Sequence, residues 1–374
     1  MKITRLSVIP LRLPVKTPLV ESGGVFSEFN HVLVELHSDA GVSGIAEVEA
    51  YPSFERDGVE TQQGIVAVLD NPLREAIVGQ SPFDLARIWR RMDQAVSGYL
   101  RVKAAIDIAL YDLIGRHLGV PVHDLLGGVC RDDYIVEGVG YGISIDEPAV
   151  VAAIAEQAVR DGYRQLELKA GDHRPQNDVD RLAAVREAIG PDIPIKIDFN
   201  GYYDTKTAIS VIQAMQTHGV QWIEQPARYW DFEALTMIRN AVNPIIVVDE
   251  SVDTPQDMMR VARAGAADAV HIKPTIKGGL STARAIASVA QAAGVVVVPG
   301  TSAPTGVGMA AARAFIATTP VLSGGAHGSP LDILVEDIVT DPIPAGSVTV
   351  PVSNRLPGLG IELNQAVVDR YRVG

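Results

Sequence analysis

This chain of 374 residues has a single cysteine, fewer basic than acidic residues and no long apolar run. The single cysteine, Cys130, excludes a disulfide within the chain and fits a reducing cytoplasm. The 45 acidic residues outnumber the 32 basic ones, and the net charge of −13 argues against nucleic acid or an anionic membrane as a partner. No apolar run approaches the roughly 18 residues of a membrane span, and Arg12 and Lys16 interrupt any signal-peptide core. We therefore expect a cytoplasmic protein that attracts any anionic small molecule locally.

The pattern of side chains changes along the chain. Residues 1–50 alternate polar and apolar side chains, as antiparallel strands do, and helical periodicity follows. Beyond Gly127-Gly128 short β-branched runs alternate with helices, beginning with a strand from Tyr134 to Ile143. The eighth and last such strand is expected near Val321 to His327. The length suits a barrel of about 250 residues with a second domain.

A glycine-rich helix start follows the seventh strand, which is predicted at residues 295–299. Gly306 and Gly308 open an alanine-rich helix that continues to Ala317. The free amides at the N-terminus of such a helix could hold an anion.

Five consecutive apolar runs each end in a charged residue: Lys169, Asp198, Glu224, Asp249 and Lys273. The intervals between them match one strand, one helix and two loops. In a (β/α)₈ barrel the C-terminal ends of the strands converge on one face, so these side chains are predicted to meet there. Three carboxylates repel one another unless a cation lies between them, and oxygen ligands favour a hard ion such as Mg²⁺.

The order and spacing of these residues resemble the enolase superfamily, in its mandelate racemase and muconate lactonizing enzyme branch. The resemblance rests on Lys169, Asp198-x-Asn200, Glu224-Gln225-Pro226, Asp249-Glu250-Ser251, Lys273, Leu125-Leu126-Gly127-Gly128 and Pro357-Gly358-Leu359-Gly360. It implies an α/β fold, a modified TIM barrel with an α+β capping domain. Residues 1–127 would form the capping domain, residues 128–330 the catalytic barrel, and residues 331–374 a C-terminal segment that returns to the capping domain.

The resemblance also implies a chemistry. Such an enzyme uses Mg²⁺, with Mn²⁺ as a substitute, and removes a proton α to a carboxylate of a small substrate through an enediolate. The metal ligands would be Asp198, Glu224 and Asp249. Lys169 and Lys273 would be the acid and base on opposite faces of the substrate.

Residues around this centre receive supporting roles from the same resemblance. Asn200 and Glu250 would support the metal ligands. Two loops of the capping domain would close over the barrel mouth, with Ser22, Tyr51 and Phe54 as lid residues. A homo-oligomer is also expected.

Glu167 stands where the muconate-lactonizing subgroup usually has the first lysine of a Lys-x-Lys pair. Because side chains alternate along a strand, residues 167 and 169 face the same, inward side. We hypothesise that Glu167 pairs with Lys169 and raises its pKa, which would make Lys169 a weaker base near neutral pH. The alternative is that Glu167 points deeper into the barrel and only balances charge.

Two histidines near the predicted site need an interpretation. His327 lies where the subgroup often has a glutamate, and it could bind a substrate carboxylate or shuttle a proton, with a structural role as the alternative. His271 lies two residues before Lys273 and is interpreted as a hydrogen-bonded core histidine. The seventh strand ends in Val298-Pro299-Gly300, without the catalytic histidine of the mandelate-racemase branch.

Four functions fit these residues. The N-terminal pattern and the loop after Glu49 resemble muconate-lactonizing relatives, and this resemblance favours a cycloisomerase of a muconate-like diacid over a racemase or epimerase of an amino-acid derivative. The third hypothesis is a dehydratase of a hydroxy acid, which shares the first proton abstraction. The fourth is a non-catalytic barrel that keeps only a structural metal. Exchange of the α proton with deuterated buffer, loss of water or formation of a ring would distinguish them.

Overall fold

The computed structural model describes residues 1–21, 24–50, 60–138, 142–320 and 326–374. The expected lid residues Ser22, Tyr51 and Phe54 lie outside these described residues. In the ranges that are described, no helix combines the length and the apolar character needed to cross a membrane.

The N-terminal part is a three-stranded antiparallel sheet with helices on one face. Its strands are β1 (Ile3–Glu21), β2 (Gly24–Ser38) and β3 (Ser43–Glu49), in the order β1-β2-β3. Its helices are α1 (Gln62–Val68), α2 (Arg74–Ile77), α3 (Leu85–Ala95), α4 (Leu100–Leu118) and α5 (Val122–Leu125), and a π-helical turn (Leu69–Leu73) joins α1 to α2. Alternation along β2 places Val32 and Val34 in the main core and Leu33 in a second core on the other face.

Helix α4 is buried along most of its length and packs against β3. A side chain at Gly44 could not fit there, because an added Cβ would lie 2.1 Å from the carbonyl oxygen of Ala109. On its other side α4 meets a barrel helix, whose N-terminal amide at Ser281 donates to the buried carboxylate of Asp107 at 3.0 Å. The helix therefore joins the N-terminal sheet to the barrel.

Six parallel strands in sequential order form most of the barrel. The strands described between residues 128 and 330 are β4 (Asp133–Ile135), β5 (Leu166–Lys169), β6 (Ile195–Asp198), β7 (Trp222–Glu224), β8 (Ile245–Val248), β9 (Ala269–Ile272) and β10 (Val296–Pro299). The helices are α6 (Pro148–Arg160), α7 (Pro175–Ile189), α8 (Thr205–Gln216), α9 (Phe232–Ala241), α10 (Pro255–Ala264), α11 (Gly279–Ala292) and α12 (Gly306–Thr318). The predicted fold class, a modified TIM barrel with a capping domain, is confirmed.

The first barrel strand differs from the prediction of one strand from Tyr134 to Ile143. Among the described residues of this span, only β4 is a regular strand, and it pairs antiparallel with β11 (Thr349–Pro351) of the C-terminal segment. Barrel pairing continues through single bridges, from Val136 to Ala326 and from Ile143 to Leu168. Gly138 and Gly142 have φ values of 69° and 103°, which are incompatible with an extended strand.

The C-terminal segment covers the free face of the N-terminal sheet. Leu334 and helix α13 (Gln365–Tyr371) contribute to the second core, in which they pack against β1 and β2. Arg372 forms a bridge with Leu11 of β1. The Gly358 amide donates to the carbonyl of Val120, and the Gly358 carbonyl accepts the amide of Val122 at the start of α5.

The N-terminus of α12 does not present free amides to an external anion. The Gly308 amide donates to Glu47 Oε1 at 2.9 Å, and the Gly306 amide donates to Asp337 Oδ1 at 2.9 Å. The expectation of an anion site is therefore wrong, because carboxylates from β3 and from the C-terminal segment satisfy these amides and the helix dipole.

Candidate active site

The five charged residues predicted to converge lie at the same end of neighbouring strands. Lys169, Asp198 and Glu224 are the last residues of β5, β6 and β7, and the strand register places them side by side. Asp249 and Lys273 directly follow β8 and β9. The shared register of parallel strands therefore brings lysine, three carboxylates and lysine to one rim of the barrel.

Each lysine contacts an outer carboxylate of this row. Lys169 Nζ lies 2.9 Å from Asp198 Oδ2, and Lys273 Nζ lies 2.5 Å from Asp249 Oδ2. Both lysine side chains keep 12% of their surface exposed, whereas the two carboxylates are buried to 2%. The amines thus lie at the mouth and the carboxylates below it.

Two of the predicted metal ligands belong to a group that could hold a metal ion. Oxygens of Glu224 and Asp249 and a ring nitrogen of His271 lie within 4.8 Å of one another. Asp198 lies beside Glu224 in the sheet but outside this 4.8 Å group, and its Oδ2 accepts a hydrogen bond from Lys169 Nζ. His271 is a buried, hydrogen-bonded histidine, as its position indicated, and its Nδ1 lies 2.9 Å from Glu224 Oε1.

The buried cluster carries more negative than positive charge. Six carboxylates stand against four lysines in the described residues around the site: Glu137, Glu167, Asp198, Glu224, Asp249 and Glu250 against Lys169, Lys196, Lys273 and Lys277. The formal excess of two negative charges equals the charge of one divalent cation. This charge balance and the oxygen-rich donor set fit a hard divalent metal.

The pKa values of two carboxylates reflect this excess. Burial raises the pKa of Asp198 to about 7, with the like charge of Glu224 acting in the same direction and Lys169 opposing it. Burial, and then the charges of Asp249 and Asp198, hold the pKa of Glu250 well above its usual value. A bound cation would favour the ionised form of such groups.

The backbone is unusual two residues after Asp198 and one residue after Glu224. Asn200 and Gln225 have φ values of 43° and 39°, which side-chain-bearing residues rarely adopt. Asn200 donates its backbone amide to Asp198 Oδ1 at 3.0 Å and its side-chain amide to Glu250 Oε1 at 2.9 Å. Both turns therefore direct side chains back onto the strand ends.

Gln225 supports the neighbouring strand and received no role in the sequence analysis. Its Oε1 accepts the backbone amide of Asp249 at 2.9 Å, and its Nε2 donates to Ser251 Oγ at 2.8 Å. The side chain is buried to 1%. Gln225 thus fixes the backbone from which the Asp249 carboxylate extends.

Lys277 is a second residue that the sequence analysis missed. Its Nζ lies 2.8 Å from Asp249 Oδ1 and donates to the backbone carbonyls of Asp249 and His271. Burial alone would raise the pKa of Asp249, but Lys273 and Lys277 outweigh it and hold the pKa well below its usual value. No periodic pattern pointed to Lys277, because it lies in a turn beyond β9.

Glu167 occupies both of the positions that the sequence left open for it. Its Oε1 lies 2.6 Å from Lys169 Nζ, and its Oε2 lies 2.9 Å from Nζ of Lys196, deeper in the barrel. Burial would raise the pKa of Glu167, but Lys169 and Lys196 lower it well below its usual value. The side chain therefore carries a negative charge against Lys169.

His327 is buried beneath the site and contacts Glu167. Its Nε2 lies 3.6 Å from Glu167 Oε2, and its Nδ1 lies 2.8 Å from Thr301 Oγ1. Burial lowers the pKa of His327, although Glu167 opposes that shift. These contacts favour the structural role among the alternatives for this residue.

Lys196 completes the cluster and also escaped the sequence analysis. It is buried to 1%, and its Nζ lies within 3.0 Å of three carboxylates, those of Glu137, Glu167 and Glu224. These contacts are ion pairs by distance, while their angles fall outside hydrogen-bond geometry. Alternation along β6 could have found it, because it lies two residues before Asp198.

The sequence matches two family models that together span most of the chain. Residues 3–127 match the N-terminal domain of mandelate racemase / muconate lactonizing enzyme, and residues 150–367 match the enolase C-terminal domain-like family. The chain belongs to the mandelate racemase and muconate lactonizing enzyme family of the enolase superfamily.

Members of this family with known activities align along nearly the whole chain. The N-succinyl-L-Arg/Lys racemase of Bacillus cereus is 30% identical over 100% of this chain and 98% of its own. Muconate cycloisomerase 1 of Rhodococcus opacus is 32% identical over 91% of this chain and 90% of its own. The crystal structure of the dipeptide epimerase from Enterococcus faecalis, complexed with Mg and L-Leu-L-Tyr, is 29% identical with a TM-score of 0.89, over 97% of this chain and 100% of that one. The protein is an enzyme of this family, and its relatives are isomerases.

Proposed function

We propose that the enzyme is a Mg²⁺-dependent isomerase that moves a proton at the carbon α to a carboxylate of a small substrate. The observation that carries the proposal is the row of strand ends in which Lys169 and Lys273 flank three buried carboxylates. The magnesium in the structure of the Enterococcus faecalis dipeptide epimerase supports the choice of metal.

Asp198, Glu224 and Asp249 are the proposed metal ligands, and Mn²⁺ would suit the same oxygen donors. The metal would stabilise the negative charge that develops on the substrate carboxylate as the proton leaves. Asn200 and Glu250 would hold Asp198 in place, since Asn200 bridges the two carboxylates.

The two lysines receive different roles because their surroundings differ. Lys169 contacts two carboxylates, Glu167 at 2.6 Å and Asp198 at 2.9 Å, which favours its ammonium form. Lys273 contacts Asp249, whose negative charge Lys277 already shares. We therefore propose that Lys273 takes the proton from one face of the substrate and that Lys169 delivers a proton to the opposite face.

Proton removal on one face and delivery on the other inverts the carbon, so racemisation or epimerisation of an amino-acid derivative is the proposed reaction. The racemase of Bacillus cereus and the dipeptide epimerase of Enterococcus faecalis support this substrate class. Cycloisomerisation of a muconate-like diacid is the second candidate. Muconate cycloisomerase 1 supports it, and so does the contact of Glu167 with Lys169, because a cycloisomerase needs only one of the two amines as acid and base.

Incubation with Mg²⁺ in deuterated buffer separates the candidates. The substrates are N-succinyl amino acids and dipeptides on one side and cis,cis-muconate on the other. Deuterium at the α carbon with inverted configuration supports the proposed reaction, and formation of a lactone ring supports the second candidate. Loss of water would identify a lyase. Absence of any α-proton exchange across such a panel would refute the proposed chemistry.

A further inference from the structure

Lys196 and Lys277 are the two most deeply buried lysines of the active-site cluster in the described residues, and Lys196 contacts more carboxylates. Lys196 lies on β6, on the same inward side as Asp198, and 1% of its surface is exposed. A buried ammonium is unfavourable unless opposite charges surround it. Its placement below the site therefore has to be explained by its contacts.

Three carboxylates from three different segments meet this one ammonium. Nζ of Lys196 lies 2.6 Å from Glu224 Oε2 on β7, 2.9 Å from Glu167 Oε2 on β5 and 3.0 Å from Glu137 Oε2, which follows β4. The positive charge of this one ammonium attracts all three carboxylates at these distances, although the contact angles are not those of hydrogen bonds.

The other oxygens of two of these carboxylates face the site. Glu224 Oε1 meets His271 at 2.9 Å, within the group that could hold a metal. Glu167 Oε1 meets Lys169 Nζ at 2.6 Å. The ammonium of Lys196 therefore contacts the proposed metal ligand Glu224 directly. Through the carboxylate of Glu167 it is also connected to the proposed catalytic Lys169.

We propose that Lys196 is a positioning residue that holds Glu224 toward the metal and Glu167 toward Lys169 at the same time. The proposal rests on the proposed function, since it concerns the metal site and the acid of that reaction. Without the ammonium, Glu137, Glu167 and Glu224 would repel one another and leave their present geometry. Ligand geometry and the orientation of Lys169 would then be lost together.

The double variant Lys196→Met, Glu137→Gln separates the effect of the central ammonium from the effect of the net charge of the cluster. This variant removes one positive and one negative charge, so the net charge of the cluster is unchanged while the central ammonium is lost. Mn²⁺ binding to the purified protein is measured by electron paramagnetic resonance of the free ion. We expect the Kd for Mn²⁺ to rise at least tenfold, and at saturating Mn²⁺ we expect α-proton exchange to fall at least tenfold. A Kd equal to that of the wild type would overturn the proposal.

Two further variants keep the test decisive. Lys103→Met is the matched control, because Lys103 is buried to 2% and paired with Asp93 in the N-terminal part; it should bind Mn²⁺ like the wild type. If the double variant does not fold, Lys196→Gln replaces it, since glutamine is polar and removes the positive charge from the centre of the three carboxylates. It should raise the Kd at least threefold, and an unchanged Kd would again contradict the positioning role.

The wild-type titration distinguishes this inference from the proposed function. If the wild type binds no Mn²⁺, the proposed metal chemistry fails and the role of Lys196 in it fails as well. If the wild type and the variants bind Mn²⁺ equally, only the positioning role fails.

Discussion

Asp337 provides a quantitative test of the electrostatics that join the C-terminal segment to the barrel. Its Oδ1 accepts the Gly306 amide at 2.9 Å, and 5% of the residue is exposed. Burial raises its pKa from 3.8 to about 6, the Gly306 hydrogen bond opposes that shift, and the nearby Glu47 adds to it. In Asp337→Asn the side-chain oxygen can still accept the amide, but the group no longer titrates.

The sign of the effect follows from the raised pKa. A carboxyl group with a higher pKa in the folded state binds more protons when folded, so its stabilising contribution is full below about pH 4 and is lost as the pH rises through about 6. A shift of about two pKa units corresponds to about 3 kcal/mol. As the pH falls from 7.5 to 5, we expect the wild type to gain about 1.4 kcal/mol of unfolding free energy relative to Asp337→Asn.

Urea unfolding at pH 5, 6 and 7.5, followed by tryptophan fluorescence, measures this difference. Other titrating groups are common to both proteins and cancel in the comparison. A constant difference between wild type and Asp337→Asn across this pH range would refute the raised pKa.

Three further substitutions test the site. Lys273→Ala should lower the rate of α-proton exchange by about 10² to 10⁴, the contribution of a general base, whereas Lys206→Ala, at an exposed position of α8, should leave it unchanged. Glu167→Gln removes the anion at 2.6 Å from Lys169 and should move the limb of the pH–rate profile that depends on Lys169 to lower pH, while an unchanged profile would reject the pairing as functionally relevant. Gln225→Leu leaves the amides of Asp249 and Ser251 without their acceptor and should lower the free energy of unfolding by about 3 kcal/mol in urea, and an unchanged free energy of unfolding would contradict this supporting role.

The strand ends of the barrel were predictable because they depend on local spacing. One βα unit has a narrow range of lengths, so charged residues at regular intervals indicate the same rim of a parallel sheet. The fold class, the family and the enzymatic character that followed from this spacing are confirmed. The domain boundaries after residues 127 and 330 and the assigned site residues stay predictions.

The features that sequence reasoning missed depend on contacts between distant segments. Gly138 and Gly142 interrupt the first barrel strand where alternation alone indicated continuity. The Gly308 amide of α12 donates to Glu47, which lies about 260 residues earlier in the chain. Lys196 could have been predicted from the sequence, because the alternation rule applied to residues 167 and 169 applies equally to residues 196 and 198.

The most direct test of the shared metal site is a crystal structure of the protein grown with Mn²⁺, with anomalous differences measured near the manganese absorption edge. We predict one peak within coordination distance of carboxylate oxygens from Asp198, Glu224 and Asp249 together. A peak bound by Glu224, Asp249 and His271 without Asp198, or the absence of a peak at this rim, would contradict the account.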